Sequence, residues 1–215
     1  MPPASESLAG SQIEAANFKS RPRKFMSCLF QNKRLSRSWR PTSGQQWKEA
    51  IPSVSRIGVL YDSYGRRQLE AAENAARSLR IQIVPIELEP PYDYNEWFRV
   101  AKQKKVAAMI LLYSAAFYPA RDSIARQAVA NHLPAIAYAS EFARAGLFAS
   151  YGSNAVASFG RLAYFIDRVL QGLAPKDLPV EQPTKLEMVI NLRTAKALGL
   201  TVAPSMLARA DEIIR

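Results

Sequence analysis

The chain has 215 residues, 48% of them hydrophobic and 22% charged, and a formal net charge of +11. That apolar content is enough to bury a sizeable core and excludes a disordered chain. A single cysteine, Cys28, and a single histidine, His132, exclude an internal disulfide and leave too few sulfur and nitrogen ligands for a structural zinc site, so any metal chemistry would need carboxylates alone.

No run approaches the roughly 18 apolar residues of a membrane span, so the sequence reads as soluble. The positive charge is uneven: residues 1–50 hold nine Lys/Arg against Glu6, Glu14 and Glu49, while the remaining 165 residues hold 20 basic against 15 acidic groups. No nucleic-acid partner is expected, because no element after residue 50 interleaves a basic stripe with aromatics. KSRPRKFMSCLFQNKRLSRSWRPTSGQQW, within the first fifty residues, has neither helical nor strand period, and reads as a basic arm without a stable fold of its own. FMSC after RPRK falls short of a lipoprotein signal, since the apolar stretch from Phe25 to Phe30 is shorter than the 7 to 15 or so residues a signal needs.

An α/β pattern opens after residue 50. RIGVLYD (56–62) is a buried strand running into a turn, and GRRQLEAAENAARSLR places Leu69, Ala72, Ala76 and Leu79 on one helical face. The alternation continues through IQIVPIEL (81–88), a helix around NEWFRVAKQKK (95–105), AAMILLY (107–113), a helix from Pro119 to Asn131, AIAYA (135–139), a turn of helix in EFARAG, and LFASY (147–151). Such strand–helix units predict a doubly wound parallel sheet with helices on both faces. Ligands of such sheets lie beyond the carboxyl ends of the strands, so Tyr61 to Tyr64, Tyr113 to Phe117, Ala139 to Glu141 and Tyr151 to Asn154 are the stretches to watch. Next, Asn154 caps a helix with Phe159, Leu162, Ile166 and Val169 on one face, closed by Gly172. KLEMVIN alternates as a half-buried strand, Asn191 caps LRTAKAL, Gly199 stops it, and Pro204 and Ser205 begin a last helix, MLARADEII.

Catalytic signatures are missing: there is no G-x-G-x-x-G after the first strand, no G-x-x-x-x-G-K-[ST] and no G-x-S-x-G. His132 in NHLPA stands where a helix gives way to a strand, a place where an imidazole packs or bonds a free carbonyl. Glu87, Glu89, Asp122, Glu141, Asp167 and Asp177 are scattered over different elements. Tyr61, Tyr64, Tyr113, Phe117, Tyr118 and Tyr151 cluster at strand ends, where core packing and ligand stacking both remain open. Neither an enzyme nor a cofactor nor a metal site is expected.

Four ordered stretches carry a resemblance: IPSVSRIGVLYD, NHLPAIAYASEFARAGLFASYGSN, FIDRVLQGLAPKDLPVEQPT and KLEMVINLRTAKALGLTVAPSMLARADEII. Residues 52–215 resemble the solute-binding proteins of ABC importers related to the tryptophan/tyrosine-type binding proteins. The resemblance implies a type I periplasmic-binding fold, with residues 51–215 as its second lobe plus C-terminal crossover segments and residues 1–50 as a separate basic arm. It further implies a small solute such as an amino acid captured between lobes, an ABC permease as partner and a periplasmic location, although the chain shows no recognisable signal peptide and would stay cytoplasmic as encoded. The expected first lobe is replaced by the basic arm, so the sequence reads as truncated; a misassigned reading frame and a flavodoxin-like enzyme or regulator are the alternatives. YSAAFYPAR (113–121) departs from the Asp-containing polar loop of that family and leaves the solute class open.

Any residual solute contact is expected at the strand-end loops. Ser63 and Ser114 would hydrogen-bond, Tyr61 and Phe117 would form flat walls, and Ser153 with the backbone near Gly152, beside Tyr151, would hold a carboxylate. The same residues could instead cap helices and finish the core. The apolar face of Phe159, Leu162, Ile166 and Val169 is expected to be exposed, or covered in a homo-oligomer.

Overall fold

The structure, a computed structural model, describes residues 50–51, 54–179, 181 and 186–215. The basic arm expected over residues 1–50 lies outside the described residues except for Ala50.

Seven strands form one sheet in the order β2-β1-β3-β4-β5-β6-β7. They are β1 (Arg56–Tyr61), β2 (Gln82–Glu87), β3 (Ala108–Leu111), β4 (Ala135–Ala137), β5 (Ala149–Ser153), β6 (Leu186–Asn191) and β7 (Glu212–Ile214). The first five run parallel, β6 is antiparallel to β5, and β7 is parallel to β6. Side chains on a strand alternate between faces, and here both faces are covered. Ile57, Val59, Ala108, Ile110, Leu112 and Ile136 point into one core; Leu60, Met109, Leu111, Ala135 and Ala137 point into the other.

The helices divide accordingly. α1 (Arg66–Leu79), α6 (Leu192–Ala197) and α7 (Pro204–Arg209) cover the first face through Ala76, Ala195 and Met206. α2 (Tyr94–Gln103), α3 (Arg121–Ala130) and α4 (Ser140–Arg144) cover the second through Trp97, Phe98, Ile124 and Phe142. The chain reverses its direction of travel across the sheet between β2 and β3, because α1 carries it one way from β1 and α2 carries it back past β1. Right-handed crossovers then require helices on opposite faces, and a crevice opens where β1 and β3 part. At the β2 edge, exposed Pro85 has no N–H to offer a further strand.

Two boundaries differ from the sequence reading. β5 begins at Ala149 rather than Leu147 and runs on through Gly152 and Ser153, because these pair with Glu187 and Leu186 of β6. The expected final helix, MLARADEII, stops at Arg209: Ala210 is extended, with φ −72° and ψ 130°. The Asp211 N–H donates to the Met188 carbonyl (2.9 Å) and its carboxylate accepts from the Met188 N–H (2.9 Å), so Glu212–Ile214 docks on β6 as a seventh strand. Sheet capture overrides the local helical preference.

α5 (Ala155–Leu170) leaves the sheet between β5 and β6. The Asn154 side chain accepts from the Ala157 N–H (2.9 Å) and caps it, and Gly172, at φ 96°, closes the following turn. Phe159, Leu162, Ile166 and Val169 are all exposed, Phe159 by 70%, and no described residue covers them.

Candidate functional site

The carboxyl ends of β1, β3, β4 and β5 meet along one edge, where a buried polar pair ties the loops together. Asp62, directly after β1, is 3% exposed. One carboxylate oxygen accepts from the N–H groups of Tyr64 (3.0 Å) and Gly65 (3.2 Å), which folds DSYG into the turn that starts α1. The other accepts from the Ser114 hydroxyl across the crevice. Ser114, in the loop after β3, also accepts from the Ala116 N–H (3.1 Å). Every oxygen of the pair is therefore engaged, as burial demands.

The neighbouring loops are joined to it. The Tyr138 hydroxyl, from the loop after β4, donates to the Ser114 carbonyl (2.8 Å). Burial pushes the Tyr138 phenol far above its ordinary range, so it stays a neutral donor. Gln68 of α1 closes a reciprocal pair with Tyr113, accepting from its N–H (3.1 Å) and donating to its carbonyl (3.4 Å). β5 presses on the same group, since a Cβ at Gly152 would sit 1.8 Å from the Tyr138 carbonyl oxygen. Only glycine permits that approach.

Aromatic residues lie in the loops of the same edge. Tyr64, Tyr113 and Tyr118 are exposed by 85%, 44% and 40%. Tyr113 meets Tyr138 edge-on at 5.0 Å between centroids, Tyr138 meets Phe142 at 5.2 Å, and Phe142 meets Tyr118 at 6.2 Å. Buried Phe142 thus holds two partly exposed rings in fixed positions.

The residues expected from sequence fall into two groups. Ser63 and Ser153 are exposed at the edge, with Gly152 and Tyr151 half-buried beside them. The others lie beneath. Phe117 is fully buried in the second core and Tyr61 is buried in the first, its hydroxyl donating to Glu87 (3.1 Å). Burial and that hydrogen bond raise the Tyr61 pKa. Ser114 has its only donor committed to Asp62. The role of Asp62 and Tyr138 was missed: DSYG signals a turn, but nothing local shows that the acid is buried or that Tyr138 reaches the loop of the neighbouring strand. Among the described residues no cluster of three or more His, Cys, Asp or Glu could hold a metal ion, and no helix is long and apolar enough to cross a membrane.

The model of the ABC transporter substrate binding protein family matches residues 45–214. The chain belongs to that family. Three solved structures share its fold. A conserved domain protein from Vibrio cholerae is 23% identical with a TM-score of 0.73, the alignment covering 79% of this chain and 58% of that one. An ABC domain in complex with L-Trp from Streptococcus pneumoniae is 23% identical with a TM-score of 0.71, covering 80% and 59%. A ligand-free, open substrate-binding protein with adhesive properties from Clostridium difficile is 20% identical with a TM-score of 0.57, covering 79% and 58%. The chain therefore spans less than two thirds of the length of these three structures. No curated protein matches the sequence.

Proposed function

We propose that this chain supplies one wall of a solute cleft for an ABC-type importer, and that the solute is an amino acid with an aromatic side chain. The observation that carries the reading is the set of exposed Tyr64, Tyr113 and Tyr118 rings and the locked Asp62–Ser114 pair, at the edge where sheets of this order bind ligands. Flat rings stack on flat rings, and the similar Streptococcus pneumoniae domain holds L-Trp.

In this reading Tyr64 and Tyr113 stack on the side chain. Ser63 and Ser153 hydrogen-bond the polar head, and the N–H groups opening α5 beside Gly152 attract the carboxylate. Tyr61, Ser114 and Phe117 act from beneath by fixing the loops, and half-buried Tyr151 flanks Gly152 at the edge. The partner is an ABC permease and the working place is the periplasm. Closed clefts bury 70–90% of a ligand between two walls. One wall gives an affinity near 1 mM, about −4 kcal/mol.

Titrating the isotopically labelled chain with L-Trp, L-Tyr and L-Leu tests this. Shift changes are expected at the amides of Ser63, Tyr64, Tyr113, Gly152 and Ser153, larger for the aromatic solutes, and Tyr113→Ala should weaken them several-fold. Changes confined to the opposite end of the strands, or equal response to L-Leu, would overturn the assignment.

A further inference from the structure

The opposite edge of the sheet, where the parallel strands begin, is built from cations. Arg56 opens β1; Arg77 lies in the last turn of α1, and Arg80 caps that helix ahead of β2; Lys102 lies in the last turn of α2, and Lys104 and Lys105 lead from it towards β3. The Arg56 guanidinium donates to the Lys104 carbonyl (2.7 Å) and to the Gln82 side chain (3.1 Å), which binds the three turns into one surface. All but half-buried Arg56 are exposed. Residues 50–61, 74–86 and 97–121 contain no Asp or Glu. Among the described residues ion pairs form at Arg66, Arg99, Arg121, Arg144 and Arg161, and at none of these six.

We propose that this edge docks on an anionic phospholipid surface. One cation per helix end would complement the helix dipoles, but Arg56 stands on a strand and the six together repel one another unless an anion faces them. Arg80 and Lys105 also adopt φ of 53° and 51°, as His132 does at 51° after α3, a left-handed conformation that Gly146, Gly172 and Gly199 supply after α4, α5 and α6. Long cationic side chains thus stand where glycine fits with less strain. The turns 77–82 and 102–107 contain no aromatic residue on which a base could stack, and lysines dominate the second of them as point charges, so the surface suits lipid phosphates better than nucleic acid. In the sequence, Arg56 is preceded by residues 1–50, which carry nine Lys/Arg against three Glu. Docked in this way, the edge holding Asp62 points away from the bilayer, open to solute. The proposal does not rest on the solute reading, because vesicle binding and solute titration can fail separately.

Vesicle co-sedimentation of the full chain tests it, using phosphatidylcholine alone and phosphatidylcholine mixed with phosphatidylglycerol. Binding is expected only to the anionic vesicles and should be lost between about 50 mM and 500 mM salt. The variant Arg80→Gly/Lys104→Gln/Lys105→Gly should bind about tenfold or more weakly. Its thermal midpoint should hold or rise, since glycine relaxes both positive-φ positions. Unchanged vesicle binding by the variant, equal binding to neutral vesicles, or tighter binding to a homopolymeric RNA than to anionic vesicles at the same salt would each overturn the proposal.

Discussion

At Gly152 the backbone of β5 passes so close to the Tyr138 carbonyl that even a methyl group forces two strands apart. Gly152→Ala is expected to cost about 2 to 3 kcal/mol, read as a drop in the urea midpoint, and to loosen the Tyr138–Ser114 contact. Asp62→Ala removes the acceptor for two N–H groups and one hydroxyl, all at a buried site, and a loss of about 3 kcal/mol is expected in the same measurement. Asp62→Asn keeps one carbonyl acceptor and should lose less. A null effect for Asp62→Ala would mean that the loop reorganises around water. Position 62 shows how far sequence reasoning reaches at this scale. An Asp before Ser-Tyr-Gly announces a turn, because its carboxylate can bond N–H groups two and three residues on. Its partnership with Ser114 spans 52 residues and depends on β1 and β3 lying side by side, which no local pattern encodes.

Among the described strands, β7 is the most lightly held. It has three residues and only one strand neighbour, and its outward anchor is the Arg144–Glu212 ion pair (2.6 Å). The hydrogen bond from Arg144 holds the Glu212 pKa below the ordinary carboxylate value, so this contribution is present above that ordinary value and lost as pH falls through the lowered one. Both groups are more than a third exposed, so the contribution is small and screened. The protection factors of the Ile213 and Ile214 amides, taken against the unfolded-chain exchange rate at the same pH, should therefore fall in acid, and Glu212→Gln should lower them at neutral pH while the global midpoint stays nearly fixed. A large global shift would mean that β7 unfolds only together with the sheet. The strands β1 to β5 were legible because buried runs alternate with helical periods. β7 was not, because ADEII suits a helix locally and becomes a strand only when the edge of β6 is there to receive it.

For the molecule as a whole, the alternation of strands and helices made the layered architecture readable, and Asn154, Gly172, Asn191 and Gly199 marked helix ends that the structure keeps. Which helices would find cover does not follow from periodicity alone. α5 has a regular apolar face, and its exposure, expected only once the resemblance left that face without a lobe to pack on, is seen in Phe159 and Leu170, exposed by 70% and 81%. Phe159→Glu/Leu162→Lys is expected to change stability by no more than about 0.5 kcal/mol, because these side chains touch little of the described chain. The unmodified protein should show larger species as its concentration rises in sedimentation, and the variant should not. A midpoint drop of several degrees in the variant would mean that the face is covered. Among the described residues the core begins at Ala50 and Val54, and deleting residues 1–48, a stretch with no periodic apolar face, is expected to leave the thermal midpoint within a few degrees. A larger fall would assign those residues a packed role.

The antiparallel join between β5 and β6 has a mechanical side. The chain leaves the sheet at Ser153 and returns at Leu186, its direct cross-strand partner, so α5 hangs from a two-strand neck. A force that draws Ser153 and Leu186 apart across the sheet would load the ladder at that end, with the hydrogen bonds lying along the force and parting pair by pair down to Ala149 and Ile190. A pull directed along the strands would instead strain all five pairs together. The same ladder is therefore weak when peeled and strong when sheared, and a force that spreads the two ends of the neck would open the sheet between β5 and β6 while leaving β1 to β4 paired.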